Sequence, residues 1–189
     1  MEEKLLKSFQ GFASFSEQEA SLIISKTKLR NFRKKETLLK TGETCSAFYF
    51  IVEGAIRQYR TTEDLDEITL NLYLENNWVL EHQSFTSQKP STTTIQAFED
   101  CTVYELEMQA IHELIGRSPS FFQLGKILEQ PLRGIELYQN LPTPEEKYRA
   151  ILKHNPLLIQ KFPLKYIASY LKITPETLSR VRNKLSKPS

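Results

Sequence analysis

Cysteine is scarce in this 189-residue chain: Cys45 and Cys101 lie far apart and form no CxxC pair. That argues against a disulfide framework or a thiolate metal site, leaves two lone buried thiols as the expectation, and fits a reducing compartment. The three histidines, His82, His112 and His154, are scattered singly, so no metal-ligand or haem-ligand set is expected. The six glycines gather into no phosphate-cradling loop. No paired-carboxylate or nucleophile–base pattern stands out either, which points away from an enzyme. Long apolar runs are also missing. The longest, Ala47-Phe-Tyr-Phe-Ile-Val52, falls far short of the roughly 20 residues that span a bilayer. The Met-Glu-Glu-Lys start carries no apolar core of a secretory signal, so a cytoplasmic protein without a membrane partner is expected.

Charge is present but unevenly spread. The formal net charge is only +2, yet residues 142–189 hold ten Lys/Arg against three Asp/Glu, a balance of +7, and residues 1–141 carry −5. A near-neutral total therefore hides an acidic body joined to a basic tail, the footprint of a segment that meets a polyanion.

Texture changes along the chain in the same way. Ser16 is placed to cap a helix over 17–25. From about Leu29 to Leu106 the runs Thr37–Leu39, Phe48–Val52, Ile56–Tyr59, Ile68–Leu74, Thr92–Phe98 and Cys101–Leu106 read as short strands between polar or glycine breaks. Many short strands predict an antiparallel roll, barrel or sandwich. Helical texture returns at Gln109–Ile115 and from about Ser120 to Tyr138, where Leu124, Ile127, Leu128, Leu132, Ile135 and Tyr138 form a stripe. The stripe fits core packing and a seam with a second copy equally well, and Pro131 should kink or shorten it. Leu141-Pro-Thr-Pro144 reads as a hinge. Thr143 then caps a helix from Pro144 to His154, which Asn155-Pro156 stops. The expected division is a sensor over 1–116, a connecting and dimerising helix over 117–141, and a reader over 142–189.

In the basic tail, apolar residues fall at 164, 167, 168 and 171, then at 173, then at 178, 181 and 185. Those are two short helical stripes across a tight turn, the pattern of a helix-turn-helix. Thr174 can cap the second helix and Pro175 suits its first position. Its outward residues, Glu176, Thr177, Ser179, Arg180, Asn183 and Lys184, suit phosphates and base edges.

The run Ile167-Ala-Ser-Tyr-Leu-Lys-Ile-Thr-Pro-Glu-Thr-Leu-Ser-Arg-Val181, with Gly42, Glu53-Gly54 and Trp78-Val-Leu-Glu81 upstream, resembles the Crp/Fnr family of bacterial transcription regulators. The resemblance implies an α+β chain: an antiparallel β-roll sensor of jelly-roll type, a long connecting helix through which it dimerises, and a winged helix-turn-helix. Only four residues follow Leu185, so the wing is expected to be shortened or absent. It also implies a palindromic double-stranded DNA operator, and RNA polymerase as a further partner. By the resemblance, the base-reading positions fall on Pro175, Glu176 and Arg180. Pro175 cannot donate, which implies an altered operator. Phosphate contacts map to Lys165, Thr174, Thr177 and Asn183, with Arg182 and Lys184 adding charge. Lys172 stands where the turn usually has glycine.

The sensor half departs from the family. Glu81 holds the position of the ribose-binding Glu, but Leu80 replaces the preceding glycine and Ser91 stands where a phosphate-binding Arg would be. Ordinary cyclic-AMP binding is therefore not expected, and no cofactor is called for. A different small-molecule effector would meet Tyr73, Trp78, Glu81, His82 and Ser91. The two cysteines cannot supply the cluster that an iron–sulfur member of the family needs. The alternative function is a small-molecule-binding signalling module whose helix-turn-helix does not bind DNA.

Overall fold

Two helices lead the chain in the computed structural model, which describes residues 1–10, 13–132 and 134–185. They are α1 (Glu2–Gln10) and α2 (Glu17–Lys26). The Ser16 hydroxyl accepts the Glu19 amide proton at 3.3 Å, and the Glu19 carboxylate accepts the Ser16 amide at 2.8 Å, a reciprocal cap. Strands follow: β1 (Lys28–Phe32), β2 (Thr37–Leu39), β3 (Ala47–Glu53), β4 (Ile56–Thr61), β5 (Glu67–Tyr73), β6 (Trp78–Val79), β7 (Thr94–Ala97) and β8 (Cys101–Glu107). Helix α3 (His82–Ser87) lies between β6 and β7, and α4 (Met108–Arg117) follows β8. The C-terminal helices are α5 (Pro144–His154), α6 (Leu157–Lys161), α7 (Leu164–Tyr170) and α8 (Pro175–Leu185). An antiparallel β-roll with a helical C-terminal part makes the fold α+β.

Two compact units form, each from two stretches of chain: Met1–Ile56 with Tyr73–Pro131, and Arg57–Leu72 with the chain from Leu132 onward. In the first, one sheet runs β1-β8-β3-β6, with Leu29 opposite Tyr104, Phe48 opposite Leu106 and Phe50 opposite Trp78. Strand β3 is internal to that sheet and buried from Ala47 through Val52, which accounts for the chain's longest apolar run. Strands β2 and β7 pair with Leu39 opposite Ile95. Phe9, Phe48 and Phe50 surround Trp78 with ring centroids 5.5, 6.4 and 5.2 Å away.

The single long α-helix expected over 117–141 is not what forms. Helix α4 ends at Arg117, a 3-10 stretch runs Pro119–Leu132, and a π turn spans Ile135–Gln139. Phe121, Leu124 and Ile127 are buried in the first unit's core at strict three-residue spacing, which suits three residues per turn. Pro131 sits one residue before the 3-10 stretch ends, removing a backbone donor there. Of the predicted stripe, Leu124 and Ile127 are core residues, whereas Leu132 is exposed. The position of a shortened wing, residues 186–189, lies outside the described residues.

Both thiols are free and buried. Burial, reinforced by Glu99 and Asp100, pushes the Cys101 thiol up to about 12, and burial raises Cys45 as well. An unfolded thiol titrates near about 8.5, so above that pH the unfolded chain releases protons that the fold still holds, and stability falls as pH rises from about 9 toward 12. A urea midpoint that drops between pH 8 and 10.5, with a smaller drop in Cys101→Ala, is the expected result. Equal drops in both proteins would refute it.

Candidate nucleic-acid interface

Helix α7 buries Ile167, Ala168 and Tyr170, with Leu171 just beyond it, and α8 sets Leu178 into the same core. The turn between them is closed by two backbone bonds. The Ile173 amide donates to the Ala168 carbonyl and the Lys172 amide to the Ser169 carbonyl, each at 3.0 Å. This is a Schellman motif with Lys172 at its left-handed position, φ 57°. The Lys147 side chain, 9% exposed, donates from Nζ to the Leu171 carbonyl at 2.9 Å and satisfies the helix end. Because a side chain is disfavoured at this φ, Lys172→Gly is expected to stabilise the chain by about 0.5–1 kcal/mol in a denaturant melt. A loss of stability would contradict that reading of the turn.

The Thr174 hydroxyl accepts the Thr177 amide at 3.2 Å, and Pro175 opens α8, as the sequence suggests. Leu178 is the buried side chain of α8, while Glu176, Ser179, Arg180, Arg182, Asn183 and Lys184 are exposed. Hydrogen bonds from its own backbone amide and from Thr174, helped by the Arg180 charge, hold the Glu176 carboxyl below the usual range. Arg180 Nη2 donates to Thr177 Oγ1 at 3.3 Å. The base-reading positions Pro175, Glu176 and Arg180 thus share the first turns of one helix.

Of the phosphate-contact positions, Thr174, Thr177, Arg182, Asn183 and Lys184 lie on or beside α8. Lys165 is exposed on α7, with its Nζ 4.9 Å from the Tyr166 ring centroid. Several of these groups already have internal partners: the Thr174 hydroxyl caps α8, the Thr177 hydroxyl accepts from Arg180, and Lys184 Nζ meets the Glu145 carboxylate at 2.6 Å. Lys184, then Arg149, lowers the Glu145 pKa.

The residues assigned to an effector are mostly interior. Tyr73, Trp78, Glu81 and Ser91 are buried and His82 is half-buried. The Trp78 indole N–H donates to Ser8 Oγ at 3.1 Å, facing α1 and the aromatic core. The Glu81 carboxylate caps α3, accepting the Ser84 amide at 2.5 Å. The Ser91 hydroxyl donates to the Thr93 carbonyl at 2.9 Å. These three polar groups are satisfied inside the fold. Among the described residues, no group of three or more His, Cys, Asp or Glu is placed to hold a metal ion.

A constellation that the sequence reading missed lies in the second unit. Arg57, 3% exposed, sits over the Tyr59 and Tyr166 rings at 4.6 and 4.0 Å to the centroids. Its Nε donates to Thr69 Oγ1 at 2.9 Å and its Nη1 to the Glu67 carboxylate at 2.5 Å. The Thr69 amide donates to Ser169 Oγ at 2.8 Å, and Gln139 Nε2 donates to the Leu70 carbonyl at 3.3 Å. In the sequence Arg57 looks like an ordinary strand cation, because its partner Tyr166 is more than a hundred residues away.

Residues 29–118 match the cyclic nucleotide-binding domain family. The fumarate nitrate reduction regulatory protein of Klebsiella oxytoca is 26% identical over 173 residues, which cover 82% of this chain and 67% of that protein. The Escherichia coli K12 fumarate and nitrate reduction regulatory protein is 25% identical over the same length. The fold is shared with FixK2 from Bradyrhizobium japonicum, with a TM-score of 0.65, 19% identity and 84% of each chain covered. It is shared too with the catabolite activator protein of Thermus thermophilus, with a TM-score of 0.57, 22% identity, and 95% of this chain and 86% of that one covered. Over most of its length the chain is thus similar to these regulators, and over residues 29–118 to the cyclic nucleotide-binding domain family. No helix among the described residues is long and apolar enough to cross a membrane.

Proposed function

We propose that this chain is a transcription regulator of Crp/Fnr type rather than an enzyme, and that it binds DNA sequence-specifically as a homodimer on a palindromic operator, reading bases with Glu176 and Arg180. The observation that carries the reading is the outer face of α8: donors, acceptors and cations stand exposed while Leu178 anchors the helix from behind. Arg180 can donate bidentately to guanine O6 and N7, and the ionised Glu176 can accept from a cytosine amino group. Pro175, lacking a donor, leaves its position to shape or methyl contacts. Two copies would space their recognition helices by about 34 Å, one helical turn of DNA. Exposed Phe122, Leu132 and Leu137 on the connecting stretch supply apolar surface for the second copy.

The regulatory input in this reading is not cyclic AMP. Ser91, where the resemblance expects a phosphate-binding Arg, brings no cation to a cyclic phosphate and bonds Thr93 instead, and the carboxylate of Glu81, at the ribose-binding position, already caps α3. RNA polymerase is the proposed further partner, and the cytoplasm the proposed compartment.

Selection from a pool of random duplexes tests the proposal. A palindromic consensus with strongly salt-dependent affinity is expected. Arg180→Ala should weaken binding to that consensus by about 1–3 kcal/mol per half-site and relax preference at one base position. A protein that enriches no sequence but binds a nucleotide tightly would instead be a signalling module.

A further inference from the structure

Helix α7 offers the β4–β5 hairpin two residues from one face, Tyr166 and Ser169, at the i, i+3 spacing that puts side chains side by side. Both are used. Tyr166 stacks on the Arg57 guanidinium, whose other ring contact is Tyr59, and Ser169 accepts the Thr69 amide. The remaining face of α7 carries Ile167, Ala168 and Tyr170 into the helical core that holds Leu178 of α8. Hairpin, α7 and α8 are thus linked in series inside one compact unit.

Arginine is suited to this position for reasons a lysine would not meet. Its planar guanidinium stacks on aromatic rings while its edge donates to Thr69 and Glu67. Its Nη2 is buried and finds no hydrogen-bond acceptor among the described residues. Such a group is tolerated where the cation is already held by rings and a carboxylate. The arrangement spends a buried charge on a contact between two elements that are remote in sequence.

The contact leaves the reading face open. Glu176, Ser179, Arg180, Asn183 and Lys184 remain exposed while Tyr166 and Ser169 face the hairpin. A clamp that covered the recognition residues would act as a block; this one holds them from behind.

We infer that Arg57 is a positioning residue for DNA recognition: gripping Tyr166 between the hairpin and α7, it fixes the orientation in which α8 meets the base edges. The inference rests on the DNA-binding reading above. It makes the functional reading head the helix-turn-helix together with residues 57–72, rather than the C-terminal helices alone.

The test uses the full chain and compares a selected duplex with a random duplex across a series of salt concentrations. Arg57→Met should lose roughly tenfold in affinity for the selected duplex, the scale of a lost desolvated cation–π contact, and change affinity for the random duplex less than twofold. The salt dependence should stay the same, since no phosphate contact is removed. Tyr166→Leu should give the same loss, and the double variant no more than either single, because the two act through one contact. Hydrogen exchange at the Thr69 amide, which donates to Ser169, should quicken in Arg57→Met while exchange at the Leu178 amide, which donates to the Thr174 carbonyl in the same unit, holds. Equal losses on both duplexes would reduce Arg57 to a stability residue and overturn the inference. So would unchanged binding, or a gain that marked the hairpin as a restraint. A parent chain with no preference between the duplexes would instead fell the DNA-binding reading itself.

Discussion

Gly54→Ala is expected to cost the first unit about 3 kcal/mol or more, lowering its melting temperature by roughly 6–12 °C. Two effects coincide at this position. Its backbone has φ +97°, a conformation that a side chain disfavours. A Cβ there would also lie 2.5 Å from the Asp100 carbonyl oxygen and 2.8 Å from the Cys101 Cα, backbone atoms that cannot swing aside. Trp78, the chain's one tryptophan and 3% exposed in this unit's core, reports the transition by fluorescence. Gly42→Ala is the control. Its φ is +92° but nothing lies within 4 Å of the added Cβ, so only the conformational part, about 1 kcal/mol, is expected. Equal melting shifts for the two variants would show that the close approach at Asp100 and Cys101 is not what makes Gly54 necessary.

Leu178→Ala is expected to remove about 2–5 kcal/mol from the second unit and to eliminate sequence-specific DNA binding. Leu178 is fully buried, and it anchors α8 to α7. The cavity left behind would loosen the helix that presents Glu176 and Arg180, so recognition should fail before any base contact is altered. Hydrogen exchange across α7 and α8 should accelerate while the Trp78 transition of the first unit stays in place. Leu178→Met, close in volume, should retain most of both stability and binding. If Leu178→Ala reads its operator normally, α8 is not held by this contact.

The reading helices were legible because their signals are local. The apolar residues 164, 167, 168 and 171 follow one helical face, and Thr174-Pro175 is a start signal that needs no tertiary help. Ser16 and Thr143 announced their helices in the same way, each with Glu three residues on. Elements whose cause is non-local were missed. Strand β1 has the burial pattern of an edge, exposed from Lys28 through Asn31, and exists because β8 pairs with it. The two residues of β6 are a strand only through Tyr49 and Phe50 opposite them. Helix α3 is short and polar, and its cap is Glu81, a residue that the family resemblance directs toward a ligand. Along the connecting stretch the sequence gives helical spacing but does not choose between 3.0 and 3.6 residues per turn. The burial of Phe121, Leu124 and Ile127 makes that choice. Arg57 was invisible for the plainest reason: nothing near it in the chain says that Tyr166 will cover it.

That separation also orders events during synthesis. Thr69 and Ser169 are 100 residues apart, so at about 5–20 residues per second the hairpin waits roughly 5–20 s after it is made for its partner helix to emerge. Until then Arg57 has its strand neighbours but no Tyr166, and the second unit cannot close. A chain interrupted before residue 166 would carry a β-roll able to pack its own core and a hairpin left without its helix. Such a product would present an uncovered strand pair to proteases and chaperones, and no reading head to DNA.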